Sequence, residues 1–173
     1  MVPDYHIANP KQLEQSKAMT QTPAPVAIRK AEKGDLDQII ALDEHITGIN
    51  KHDYIHDLFE RYGARRPEQR FFYVASPLEE PGGRVTGFVI GEVRAWEFGS
   101  EPCGWVFAIS VDPDAREDGI GAALLDRISE SFVQVGVQRL RTMTSRNNHL
   151  LMSFFRSRGM MAGPYLQLEK DLT

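Results

Sequence analysis

Apolar residues recur along this chain with two periods, and the switches between those periods mark out its elements. "VAIR", Val26 to Arg29, reads as a short strand. In "DLDQIIALDEHI" the residues Leu36, Ile39, Ile40 and Leu42 fall on one face of a helix, with Asp35 as its cap and Gly48 as its stop. "HDYIHDLFERYG" repeats the helical spacing through Tyr54, Ile55, Leu58, Phe59 and Tyr62 and ends at Gly63. The period then shortens. "RFFYVAS" and "VTGFVIGEVRAWEF" read as strands joined by the Pro- and Gly-rich turn "PLEEPGGR", which makes a hairpin. "GWVFAISV" is apolar without alternation, as a central strand buried on both faces is.

A helix over 119–134 follows, with Ile120, Leu124, Leu125, Ile128, Phe132 and Val133 as its apolar face. "VQRLRTMTS" predicts another strand, "NNHLLMSFFRSRG" another helix and "AGPYLQLEKDL" a last strand. The order is strand, two helices, three antiparallel strands, helix, strand, helix, strand. It predicts an α/β fold, a mixed central sheet with helices on both faces.

The 173 residues suit one domain. Residues 26–173 would form it, and residues 1–25 read as a polar extension carrying Pro3, Pro10, Pro23 and Pro25. Lys11 to Met19 has the makings of a short helix, marginal alone, so the arm is free or docked on the domain or on a second copy in a homodimer. A net charge of -4 and a pI near 5.7 argue against nucleic acid and membrane surfaces as partners. The single cysteine, Cys103, fits a reducing compartment, and neither a spanning segment nor a signal peptide is found. The expected location is the cytoplasm.

Chemistry concentrates in "VDPDAREDGIGAAL", Val111 to Leu124, where a strand runs through a proline-bearing loop and two glycines into a helix. The first N–H groups of a helix lack internal partners, and glycine lets an anion approach them. A Walker A loop is excluded because no Gly-Lys-Ser/Thr follows, and the dinucleotide fingerprint is poor because Leu124 stands where its third glycine belongs. Two readings remain. The glycines serve close packing of the helix on the sheet with Asp118 as N-cap, or they cradle a phosphate.

Val111 to Gly121, "VDPDAREDGIG", resembles the signature of the GNAT superfamily of acyl-CoA-dependent N-acyltransferases: a strand valine, a proline, then Arg-x-x-Gly-x-Gly, met by Arg116, Gly119 and Gly121. "NHLLMSFFRSRGM" matches a second family pattern through Asn148, Phe155 and Gly159, and the resemblance covers Val26 to Leu172. It implies that the amides of Arg116, Glu117, Asp118, Gly119, Ile120, Gly121 and Ala122 wrap the pyrophosphate of coenzyme A. It also implies that Ile109, Ser110 and Val111 pair with the pantetheine arm while Asn148 and Phe155 flank it. As a helix N-cap Asn148 has a second use. Glu117 and Asp118 depart from the family, which often has small or basic residues there. Two charges about 6 Å apart repel by only about 0.7 kcal/mol in water, less than one charged hydrogen bond returns, so coenzyme A should still bind, about tenfold more weakly.

The activity implied is acetyl transfer from acetyl-CoA to a primary amine of a small molecule or protein. Most such amines are protonated at pH 7, so a base is needed. The place from which a glutamate acts in the histone-modifying branch holds Trp105, and Glu92 on the neighbouring strand is the replacement; its alternative is an exposed strand carboxylate. Where many members have a tyrosine to protonate the departing thiolate this chain has Phe155, which leaves Tyr165 or water. The same departures allow an alternative, an acyl-CoA-binding sensor of the same fold with little or no transfer. Lys51, His52, Asp53, His56, Asp57, Glu60, Arg61, Arg65 and Arg66 read mainly as a solvated face, and His52 and His56 lack a third ligand, so no metal is expected.

Overall fold

The computed structural model describes residues 26–63, 65–80, 82–95 and 99–172, with the backbone alone for 116–118. The polar arm, 1–25, lies outside the described residues. Five strands form one sheet in the order β1 (Val26–Lys30), β2 (Arg70–Pro77), β3 (Gly87–Arg94), β4 (Cys103–Val111) and β5 (Leu140–Thr142). The first four are antiparallel neighbours, and β5 runs parallel to β4. The parallel pair is joined by α3 (Ile120–Gln134), as the crossover between parallel strands requires.

Side chains alternate across the pleat, and each face of β2 and β3 is covered by its own helices. Phe72, Val74, Phe88 and Ile90 pack with Leu36, Ile39 and Ile40 of α1 (Leu36–Thr47) and Ile55 and Leu58 of α2 (His52–Leu58). Phe71, Tyr73, Val89 and Val106 pack on the opposite face with Leu124, Ile128 and Phe132 of α3 and Phe155 of α4 (His149–Ser157). The sheet therefore has two cores, one on each side. No described helix is long and apolar enough to cross a membrane.

Several local expectations need correction. Asp35 does not cap α1 with its side chain. Its carboxylate turns back, accepting from the Glu32 N–H at 2.8 Å and from both terminal nitrogens of Arg29 at 2.7 Å, so it fastens the turn before the helix to β1. Val133 is 68% exposed, because the residue after Phe132 is rotated off the apolar face by about 100°. The second helix continues through one wide turn at Phe59–Gly63.

The last predicted strand is absent from the described residues: 161–172 adopt neither strand nor helix, and Leu168 is 90% exposed. An alternating pattern only offers a strand, which also needs a neighbour to pair with. β5 spans three residues, and the segment meets no such neighbour here.

Candidate functional site

The site follows from how β4 is treated along its length. Gly104, Trp105 and Val106 are paired on both sides, with β3 and with β5. The β5 ladder stops at Val106↔Thr142, where Thr142 Oγ1 also donates to the Val106 carbonyl at 2.8 Å. At the same point the β3 register slips: Ile90 pairs with Ala108 and Gly91 with Val106, which leaves Phe107 as the extra residue of a bulge. Phe107–Val111 thus has β3 on one side and no described strand on the other. Its side chains are only partly buried, against the expectation for the whole strand.

The direction of the free groups can be derived. The Asp112 N–H donates to the Thr86 carbonyl at 2.9 Å, on the β3 side. Successive residues of a strand turn their N–H and C=O to opposite sides, so Ser110 and Ala108 also face β3, whereas Ile109 and Val111 face the open edge.

The strand leads through a turn, Pro113–Asp118, into α3. Asp112 starts that turn by accepting from the Asp114 N–H at 3.1 Å. Gly119 caps α3 at φ 72°, in the left-handed region that favours glycine, and makes no side-chain cap. The Ala123 N–H bonds to the Gly119 carbonyl at 3.0 Å, so the N–H groups of Ile120, Gly121 and Ala122 precede the first helical bond. A Cβ on Gly121 would stand 3.3 Å from Phe154 and 3.6 Å from Val111. The two glycines have different uses, a backbone angle at Gly119 and close packing at Gly121. The side chains of Arg116, Glu117 and Asp118 lie outside the described residues; the N-cap position itself falls on Gly119, one residue after the expected Asp118.

A cleft of about 260 Å³ opens beside the free half of β4. Phe107 to Ser110 form one wall, Leu151 and Phe155 of α4 another, and Tyr54, Ile55 and Leu58 of α2 a third, with Asp43 and Lys51 alongside. The structure thus brings Ile109, Ser110 and Phe155 together. Phe155 is 5% exposed and built into the core beside Phe154. Asn148 does not line the cleft; it caps α4, accepting from the Leu151 N–H at 3.1 Å.

Glu92 stands directly opposite Trp105, on the other side of the bulge from the cleft. Its carboxylate accepts from the Tyr62 hydroxyl at 3.1 Å and from Arg94 Nε at 3.1 Å, with Arg70 Nε 3.9 Å away. Burial raises the Tyr62 pKa, with the Glu92 charge and hydrogen bond adding to it, so this phenol holds its proton. Tyr165 is half-exposed with its ring under Arg141, 4.7 Å away, and is not part of the cleft wall. The rings of His52 and His56 are 4.4 Å apart, and no group of three His, Cys, Asp or Glu residues suited to a metal occurs among the described residues.

Sequence reading missed Asp43 and assigned Lys51 to a solvated face. Among the described residues they are the two charged ones lining the cleft, and Asp43 is buried. The signal was available: Leu36, Ile39, Ile40 and Asp43 follow the i, i+3, i+4, i+7 rule, so a carboxylate occupies a core position of α1.

Comparison with known proteins adds four findings. Residues 36–160 match the family model described as Acetyltransferase (GNAT) family. A mycothiol acetyltransferase of Kocuria rhizophila is 30% identical over 103 residues, covering 60% of this chain and 34% of that protein. The match thus spans about a third of that relative's length. The structure of the aminoglycoside N-acetyltransferase AAC(6′)-Iy in complex with CoA superposes with a TM-score of 0.73 at 17% identity, over 86% of this chain and 96% of that one. A transcriptional regulator from Bacillus halodurans C-125 superposes with a TM-score of 0.70 at 18% identity, over 86% of this chain and the whole of that one. At such identities the two structures speak to the fold.

Proposed function

The chain belongs to the GNAT acetyltransferase family, and from that premise we propose that it moves the acetyl group of acetyl-CoA to a primary amine. The observation that carries this reading is the free half of β4 running into the glycine-capped start of α3. A pantetheine arm is a chain of amides. The free N–H and C=O groups of Ile109 and Val111 match it as a further strand would. The pyrophosphate is a dianion, and the N–H groups of Ile120, Gly121 and Ala122, with the positive end of the helix dipole behind them, suit it. Acetyl-CoA supplies the thioester; the chain supplies the edge, the donors and a partly enclosed cleft.

For the transfer, the amine must lose a proton before it attacks. Glu92 does not line the cleft, and its oxygens already accept from the Tyr62 hydroxyl and Arg94 Nε. Phe155 has no proton for the departing thiolate, and a thiol with a pKa of about 8.5 leaves tolerably without one. That missing hydroxyl supports the second reading, a binding module with slow transfer or none.

One experiment separates the readings: coenzyme A thiol release from acetyl-CoA over a panel of small amines, amino-acid amides and peptide N-termini at pH 7 to 9. Turnover with any class supports the transferase. Acetyl-CoA binding without release above background across the panel leaves the sensor. Binding itself is tested by thermal shift. Acetyl-CoA should raise the melting temperature well beyond ATP or NAD. Equal shifts from all three ligands would contradict the coenzyme A site.

A further inference from the structure

The cleft beside the free half of β4 holds a primary amine of its own. Lys51 and Asp43 are the charged residues lining it among those described, and the Lys51 ammonium lies 2.9 Å from Asp43 Oδ2. Asp43 is 7% exposed, and its Oδ2 takes no well-angled hydrogen bond among the described residues. The contact is an ion pair that lacks the angles of a hydrogen bond.

The link between α1 and α2 builds this arrangement. Gly48 ends α1 at φ 70°, and the Asn50 side chain donates to Glu44 Oε2 at 2.8 Å. The His52 N–H in turn bonds to Asn50 Oδ1 at 3.1 Å. The chain is thereby folded back on α1, and Lys51, half-buried, is held over a carboxylate one turn before the helix end. The other described lysines, Lys30, Lys33 and Lys170, are exposed and do not line the cleft.

We infer that Lys51 is an acetylation site of the protein itself, an internal acceptor that takes the acetyl group from acetyl-CoA in the same cleft with Asp43 as the base. The inference rests on the acetyl-CoA reading above. Attack needs a neutral amine, and a carboxylate within hydrogen-bond reach of the ammonium is the group that removes its proton. The Lys51 nitrogen bonds to the acetyl carbonyl carbon, the carbon–sulfur bond breaks, and the sulfur leaves with that electron pair. Of the two protons lost from the ammonium, Asp43 takes the first and passes it to solvent, and the second protonates the thiolate. The products are Nε-acetyl-Lys51, coenzyme A thiol and one proton. Proximity favours this lysine over an amine in solution, because the positioning is already done by the fold.

The test uses the full chain with isotope-labelled acetyl-CoA at pH 7.5, read by peptide mass spectrometry, with the melting temperature of the same preparation recorded with and without acetyl-CoA. Label should enter Lys51 at least about tenfold faster than Lys30, Lys33 or Lys170, the order opposite to exposure. The rate constant should not change on dilution. Lys51→Arg keeps the charge and should lose the label at that position. Asp43→Asn should slow labelling of Lys51 by about tenfold or more and leave the exposed lysines unchanged. Should Asp43→Asn fail to fold, the wild-type distribution and its dilution series still decide.

Uniform labelling, a rate that scales with protein concentration, or an unlabelled Lys51 would each overturn the inference. If the preparation binds acetyl-CoA and acetylates an external amine while Lys51 stays bare, the inference fails alone. If acetyl-CoA does not bind, the transferase reading falls with it.

Discussion

Cys103–Val106 and Phe107–Val111 are consecutive halves of β4 with comparably apolar side chains, and they meet different fates. Gly104–Val106 of the first half are locked between β3 and β5, and Gly104 admits Phe132 so closely that a Cβ there would stand 2.4 Å from the ring. The second half is shifted by the bulge at Phe107 and has lost its β5 neighbour, so its outer N–H and C=O groups have no strand partner among the described residues. A buried, fully paired strand can only hold a fold together. One whose neighbour stops partway acquires an edge inside the molecule, where a ligand's amides can pair without exposing that edge to other chains.

The sharpest way to break the paired half is Gly104→Val. With backbone on both sides the strand cannot retreat from Phe132, and overpacking of this kind costs about 3 kcal/mol. A melting temperature lower by about 6–12 °C is expected. A loss under about 2 °C would mean that the two halves are equally adaptable.

A pair of proline substitutions compares the two sides of the free half. Ser110→Pro removes an N–H that faces β3, and should cost about 3 kcal/mol of stability by urea unfolding. Ile109→Pro removes one that faces the open edge; it should cost about 1–2 kcal/mol through lost packing and weaken acetyl-CoA binding about tenfold by calorimetry. If the two variants lose the same stability, the assignment of edge and ladder is wrong.

A smaller effect sharpens the contrast from the opposite margin of the sheet. Burial works to raise the Asp35 pKa, but the Arg29 hydrogen bonds, the Glu32 N–H and the Arg29 charge overcome it, and the folded-state value is lowered. The stability this carboxylate contributes is therefore complete above its unfolded pKa, about 4, and is lost as pH falls through the lower folded value. In thermal melts the gap between wild type and Asp35→Asn should be constant from pH 5 to 7 and close below about pH 4, with acetyl-CoA affinity at pH 7 unchanged. A gap that persists into stronger acid would assign the role of Asp35 to packing.

The hydrophobic pattern located β4, and the apolar stripes located the helices that cover it, because burial on one or two faces is written directly in residue type. The pattern is blind to where a neighbour stops. The ladder end at Val106 and the slip at Phe107 depend on register, and the four apolar residues from Val106 to Ile109 would read the same in any register. "YLQLEKDL" illustrates the reverse failure: its alternation is strand-like, yet Leu166 and Leu168 remain exposed and unpaired. Asp43 was hidden for a third reason, since a core position filled by a carboxylate breaks the apolar count while keeping the geometry. The glycines of the loop were legible as a pair, but the division of labour between the positive φ of Gly119 and the packing of Gly121 is a property of the backbone.

The central claim, that the free half of β4 and the start of α3 bind acetyl-CoA through their main chain, is most directly tested by residue-resolved amide hydrogen exchange with and without the ligand. The amides of Ile109 and Val111, and of Ile120, Gly121 and Ala122, should slow when acetyl-CoA is added. Those of Ala108 and Ser110, already bonded to β3, should hardly change. Protection that falls equally on 108–111, or that leaves both segments untouched while acetyl-CoA binds, would contradict the account.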